Sequence, residues 1–118
     1  MITENIHKSR RGDVMDLELE IFQLISKSGD AKAIAYEGLQ LAQNGELETA
    51  RKKLKEAHST LNLAHNTQTK LIQAEIMGET IKMSLLMVHA QDHLMAALSE
   101  ISLIEEMIKI LQRFEKTE

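Results

Sequence analysis

Apolar residues recur at steps of three and four positions along most of this chain, in three segments separated by short polar breaks. This spacing places apolar side chains on one face of an α-helix, whereas a half-buried strand would alternate at every second residue. The two breaks contain Gly45 and Gly78, and glycine accepts the left-handed conformation that commonly ends a helix. The pattern predicts an all-α chain, folded as an antiparallel three-helix bundle with helices over about 14–43, 46–77 and 81–114.

The first predicted helix contains Ser28-Gly29-Asp30, where Asp30 has the chemistry of a helix cap but the apolar phase continues through it. We therefore predict one long helix with a kink or soft spot there, rather than two helices. No proline occurs among the 118 residues, which favours long uninterrupted helices. Thr80, directly before the third segment, is a suitable N-cap for the third helix.

The third segment carries two apolar stripes on roughly opposite sides of one helix. The first stripe suits the core of a three-helix subunit, and it consists of Met83, Met87, Ala90, Leu94, Ala97, Ile101, Ile104, Ile108 and Leu111. The second, termed the outer stripe, has no partner inside such a subunit, so we infer a homo-oligomer with this helix at its interface. The outer stripe consists of Leu85, Val88, Asp92, Met95, Ala96, Ser99, Leu103, Met107, Ile110 and Phe114.

Composition narrows the functional class. The net charge is −4 and aromatic residues make up 3% of the chain, so neither a basic stripe nor a stacking platform indicates nucleic-acid binding. There is no cysteine, which excludes disulfides and thiolate chemistry and is compatible with a cytoplasmic location. No apolar run is long enough to span a membrane, so we expect no direct membrane insertion. Residues 1–13 lack the apolar centre of a signal peptide and are predicted to be a mobile polar leader.

Two histidines and an aspartate stand inside the apolar third segment. His89 and His93 are four residues apart and therefore share one face of a helix. Asp92 belongs to the outer stripe, so the histidines border the predicted interface while the aspartate points into it. Ionisable groups in apolar surroundings are costly unless they are partnered, which makes this cluster the candidate functional site.

From the residues alone, three interpretations of the cluster remain open. It fixes the register of an interface, as a buried polar residue does in a coiled coil. Alternatively, it binds metal, since the spacing H-x-x-D-H resembles that of zinc ligands on helices, although a third ligand is not evident. In the third interpretation a histidine carries a phosphoryl group, a task that suits imidazole because its neutral form is abundant near neutral pH.

The remaining histidines are weaker candidates. His65 flanks the apolar seam of the second helix, within possible reach of the cluster, and we favour a hydrogen-bonded packing role for it. His58 is expected to be solvated surface, and His7 lies in the leader.

The string V-H-A-Q-D-H-L-M at 88–95 resembles the IIA component of the lactose/cellobiose/chitobiose family (EIIA type 3) of the bacterial sugar phosphotransferase system. The string A-H-N-T-Q-T-K-L-I at 64–72 and S-G-D-A at 28–31, followed by Tyr36, support the resemblance. It covers about residues 14–114, and it implies one domain over 14–115 with a short tail at 116–118.

The resemblance implies a phosphocarrier that assembles as a nine-helix homotrimer. His89 matches the position that accepts a phosphoryl group at Nε2 from the histidine of HPr and passes it to a cysteine of the IIB component. Asp92 matches the aspartate that meets its symmetry mates around one divalent cation per trimer, expected to be Mg²⁺. His93 is expected to contact the phosphoryl group or orient His89, with Gln91 in a further supporting role.

The family transports β-linked disaccharides of the lactose, cellobiose or chitobiose type, and its membrane component IIC sets the choice of sugar. No residue of this chain therefore encodes the sugar. The competing hypothesis is a non-catalytic helical oligomerisation or metal-binding module, in which the cluster serves assembly alone.

Overall fold

The computed structural model describes the backbone of residues 2–78 and 84–116 and the side chains of 17–78 and 84–115. Three helices account for nearly all of the described chain: α1 at Ile2–Gln43, α2 at Leu47–Ile76 and α3 at Leu85–Lys116. Ion pairs from Lys53 to Glu37 and from Lys70 to Glu20 show that α1 and α2 run antiparallel. The predicted all-α three-helix bundle is confirmed.

The helix α1 begins earlier than the apolar pattern predicted, at Ile2 rather than near Val14. A helix needs no apolar stripe to continue, because extending an existing helix fixes only one residue per added hydrogen bond. Mobility of residues 1–13 stays a prediction, since their side chains lie outside the described part. As predicted, α1 runs as one helix through Ser28-Gly29-Asp30.

A glycine in the left-handed region ends α1 where the sequence placed the break. Gly45 has φ +84°, and its N–H donates to the carbonyl of Ala42 at 3.1 Å. The N–H of Glu46 donates to the carbonyl of Leu41 at 2.9 Å, which completes the paired bonds of a Schellman motif. The turn is therefore only three residues long, and α2 folds straight back onto α1.

The start of α3 differs from the prediction. Residues 79–83, which include the predicted cap Thr80, lie outside the described residues. The described helix begins at Leu85 rather than near residue 81, and Ser84 precedes it. The Oγ atom of Ser84 accepts a hydrogen bond from the N–H of Met87 at 3.1 Å, so Ser84 satisfies a donor that a helix start leaves free.

The core is built from leucine, isoleucine and many alanines. Both α2 and α3 pack against α1, whereas they contact each other much less. Alanine allows close approach of α1 and α2, and the fully buried alanines include Ala31, Ala35, Ala50, Ala57 and Ala64. On α3 the predicted core stripe is confirmed for its described members, which are buried except for the half-buried Leu111: Met87, Ala90, Leu94, Ala97, Ile101, Ile104 and Ile108.

The outer stripe of α3 is exposed, as expected for one subunit. Its large apolar members are 44–86% accessible, with Leu85 at the upper limit and Val88 at the lower. Such a continuous apolar surface is typical of an interaction site rather than of a solvated helix face. Within the described residues, no helix is long and apolar enough to cross a membrane.

Two glycines within α1 provide a test of the packing. A Cβ at Gly29 would meet nothing within 4 Å, whereas a Cβ at Gly38 would lie 3.3 Å from both the carbonyl oxygen of Ala50 and the Cβ of Lys53. Gly29→Ala should therefore raise the free energy of unfolding by about 0.5–1 kcal/mol through helix propensity. Gly38→Ala should lack this gain because α2 must move away.

Urea denaturation followed by circular dichroism measures both variants against the wild type. Equal stabilisation by the two alanines would contradict the close approach of α1 and α2 at Gly38.

Candidate functional site

The two histidines of the cluster contact each other directly. The Nε2 atoms of His89 and His93 lie 3.1 Å apart, and the ring planes meet edge to face at 83°. This contact requires one proton between the two nitrogens, so one ring donates and the other presents its lone pair. His89 is exposed and His93 is half-buried, so His89 is the more accessible of the two residues.

Asp92 lies on a different face of α3. It is exposed, in the middle of the outer stripe, as the sequence pattern predicted. Among the described residues of one subunit, no group of three or more histidine, cysteine or acidic side chains is arranged to hold a metal ion.

Gln91 faces α2. Its Oε1 accepts a hydrogen bond from Nε2 of Gln68 at 2.8 Å, and both side chains are half-buried. Beside this bond a groove of about 420 Å³ lies between α2 and α3, with Asp92 and Val88 on its rim. The structure thus separates the cluster: the histidine pair, Asp92 and Gln91 each face a different way around α3.

The other histidines do not join the pair in any described contact. His65 is exposed, and its carbonyl accepts the hydroxyl of Thr69 at 3.0 Å. His58 lies at the surface with its side chain 43% accessible, and in addition its Nε2 lies 3.3 Å from a carboxylate oxygen of Glu105 on α3. A lone histidine beside a seam gives no signal for this pairing, which depends on how α2 meets α3. His7 lies outside the described side chains.

A polar cluster that sequence reasoning missed joins α1 to α3 two turns beyond His93. The hydroxyl of Tyr36 donates to Oε1 of Glu100 at 2.6 Å, and Nζ of Lys32 lies 3.4 Å from Oε2. The hydrogen bond from Tyr36, with Lys32 as a smaller cause, lowers the pKa of Glu100, while the same bond raises the pKa of Tyr36. Glu100 lies 64 positions from Tyr36 along the chain and further still from Lys32, so no local spacing signals its two contacts.

Comparison with known proteins places this arrangement in a family. Residues 19–112 match the family described as "PTS system, Lactose/Cellobiose specific IIA subunit". The chain belongs to this family. The resemblance carried by the motif at 88–95 is therefore confirmed, and the general function is that of a phosphoryl-carrying component of the phosphotransferase system.

Relatives and solved structures agree with this assignment. The lichenan-specific phosphotransferase IIA component of Bacillus subtilis (strain 168) is 44% identical over 98 residues, spanning 83% of this chain and 89% of the relative. The N,N'-diacetylchitobiose-specific EIIA component of Escherichia coli (strain K12) is 38% identical, with 83% and 84% covered.

Among solved structures, the cellobiose-specific enzyme IIA from Bacillus anthracis superposes with a TM-score of 0.83 at 40% identity, covering 86% of this chain and 94% of that one. The IIA(chitobiose)–HPr complex of Escherichia coli gives a TM-score of 0.73 at 36% identity, covering 84% of this chain and 96% of the solved one. Both lie in the same family, so the three-helix architecture is that of its IIA subunits.

The lowered pKa of Glu100 gives a pH prediction. A carboxyl whose pKa is lower in the folded state stabilises the fold above its unfolded pKa and loses this contribution as the pH falls through the folded value. Glu100→Gln should therefore be less stable than the wild type at pH 7, and the difference should shrink below about pH 4.

Urea midpoints at pH 7 and pH 3 measure this difference, with Glu75→Gln on the exposed face of α2 as the matched control. A gap between wild type and Glu100→Gln that stays constant over this range would show that the carboxylate is not stabilised by Tyr36 and Lys32.

Proposed function

We propose that His89 is the phosphorylated residue of this IIA subunit, using its Nε2 atom. The observation that supports this most directly is the contact between the two Nε2 atoms, because it supplies a donor opposite a lone pair. If the Nε2–H of His93 donates, Nε2 of His89 is unprotonated and needs no separate base, and the hydrogen bond to its single lone pair must break as that lone pair attacks phosphorus. His93 then holds the ring of His89 in place before transfer.

The transfer breaks a phosphorus–nitrogen bond in the donor and forms one to Nε2 of His89. Phosphoryl transfer proceeds through a loose in-line transition state, so the protein mainly positions the groups and screens their charge. Once Nε2 of His89 is phosphorylated, the N–H of His93 can donate to a phosphoryl oxygen instead. In this role His93 contacts the transferred phosphoryl group directly.

The partners follow from the exposure of His89 and from the family. A carrier must present the same nitrogen to a donor and then to an acceptor, which favours an exposed ring over a buried one. The solved IIA(chitobiose)–HPr complex shows that a related IIA binds HPr. HPr donates to His89, and the cysteine of a IIB component accepts, with the phosphorus–sulfur bond replacing the phosphorus–nitrogen bond.

The physiological role is uptake of a β-linked sugar. Several relatives are named as specific for lichenan, N,N'-diacetylchitobiose, cellobiose or lactose, and one as specific for galactose. The relatives differ in sugar, and the IIA subunit acts only on the phosphoryl group. We therefore propose a β-linked sugar as the class and no particular sugar.

The outer stripe supports a homotrimer. Its apolar side chains remain exposed in one subunit, and self-association through parallel copies of α3 would bury them. On a threefold axis, three Asp92 carboxylates would repel one another unless a proton or a cation intervenes. Three carboxylate oxygens form a donor set that suits Mg²⁺, with water completing its shell. Asp92 would hold this ion, whose role is to neutralise charge in the assembly.

Labelling tests the assignment of His89. Incubation with phosphoenolpyruvate, enzyme I and HPr should place an acid-labile phosphate on the wild type and none on His89→Gln. The exposed His65→Gln is the matched control and should be labelled as the wild type is. His93→Gln should be labelled more slowly, because the ring of His89 loses its partner.

Equal labelling of His89→Gln and the wild type would overturn the assignment. No labelling of the wild type would favour the oligomerisation module instead.

Asp92→Leu tests assembly separately from transfer. Replacing mutually repelling charges by an apolar side chain should keep or strengthen the trimer, as seen when buried charges elsewhere are replaced by packed apolar groups. Sedimentation equilibrium should show that a chelator weakens the wild-type trimer and leaves that of Asp92→Leu unchanged. The exposed Asp30→Leu on α1 should behave as the wild type does.

Dissociation of Asp92→Leu into monomers would instead mean that the metal ion is required to hold the subunits together.

A further inference from the structure

Gln68 on α2 is hydrogen-bonded to Gln91, which lies midway in sequence between the two histidines of α3. Its Nε2 donates to Oε1 of Gln91 at 2.8 Å, and both side chains are half-buried. Around a helix, Gln91 lies about 160° from both His89 and His93, since each is two residues away. The hydrogen bond therefore attaches α2 to α3 on the side opposite the histidine pair, at the same helical turns.

A groove between α2 and α3 borders these turns. The two helices contact each other much less than either contacts α1, and the groove of about 420 Å³ separates them at this level. The core side chains of the turns are Met87, which is long and flexible, Ala90, which is small, and the branched and fully buried Leu94. Before Leu94, neither Met87 nor Ala90 resists a rotation of α3 about its axis as a branched side chain would.

We propose that Gln68 is a positioning residue for phosphoryl transfer: through Gln91 it fixes the rotation of the first turns of α3, and thereby the direction of the histidine pair. The inference rests on the proposed role of His89 and extends the site to a second helix. Gln68 itself lies on the opposite side of α3 from the rings and acts only through Gln91.

A small rotation has a large effect at the site. Side-chain atoms lie about 6 Å from the helix axis, so a rotation of about 10° moves them by about 1 Å. Transfer between carriers needs the nucleophile in line with the leaving group, and a misplacement of about 1 Å is enough to slow such reactions substantially. Asp92 is on the same turns, so the same rotation would also turn its carboxylate away from its direction in the outer stripe.

Four variants test the proposal in the full-length protein: Gln68→Leu, Gln91→Leu, the double variant, and the control Gln73→Leu at an exposed position of α2. The first measurement is the single-turnover rate of transfer from phospho-HPr to His89. The second is the position of the His89 and His93 imidazole signals in nitrogen–proton correlation spectra, which needs no phosphoryl donor.

Gln68→Leu should slow transfer by about two- to tenfold, the range expected from loss of one hydrogen bond. It should also shift the imidazole signals of both histidines, and Gln73→Leu should do neither. In the Gln91→Leu background, adding Gln68→Leu should change nothing further, because Gln68 acts through Gln91 alone.

Two results would overturn the inference. One is a Gln68→Leu variant that matches Gln73→Leu in both rate and spectra, and the other is an effect of Gln68→Leu that persists undiminished without Gln91. If the wild type accepts no phosphoryl group, the proposed function fails, and unchanged imidazole signals in Gln68→Leu would then reject the positioning role independently.

Discussion

The rotation of α3 about its axis is the constraint on which the rest of the site depends. Burial of Leu94 and Ala97, both completely inaccessible, sets this rotation against α1 for most of the helix. Since neighbouring residues of a helix are about 100° apart, fixing one stripe fixes the direction of every other side chain. The general directions of the histidine pair, Asp92 and Gln91 are therefore set by core packing, and the hydrogen bond between Gln68 and Gln91 adds to it at the start of α3.

This arrangement allows one short segment to serve different tasks. The histidine pair lies beside the outer stripe, where the exposed His89 suits the proposed role of a carrier that meets successive partner proteins. Asp92 lies within that stripe, the surface proposed for self-association. Gln91 faces α2, so the segment is attached to the scaffold on the side away from the histidine pair. Side chains two or three residues apart thus avoid competing for the same space.

The polar links between helices contribute orientation more than stability. Ion pairs such as Lys53–Glu37 are substantially exposed, and exposed pairs contribute about 0–1 kcal/mol. Burial of the apolar core contributes far more, at about 25 cal/mol for each Å² removed from water. Core burial therefore decides that the bundle forms, whereas the links at Glu100 and Gln91 refine how α3 lies against α1 and α2.

The sequence by itself determined the helices, the turn at Gly45, both stripes of α3 and the separation of His89 from Asp92, because all of these follow from helical periodicity and residue chemistry. Sequence reasoning missed the early start of α1, because a helix can propagate without apolar residues. It placed the start of α3 too early, because capping by Ser84 leaves no signal in the apolar pattern. Only the tertiary structure decided that Nε2 of His93 meets Nε2 of His89, that Glu100 bonds Tyr36 and that Gln91 bonds Gln68. The first of these depends on side-chain rotamers, and the others on the longitudinal register of neighbouring helices. Neither is encoded in the spacing of residues along one helix.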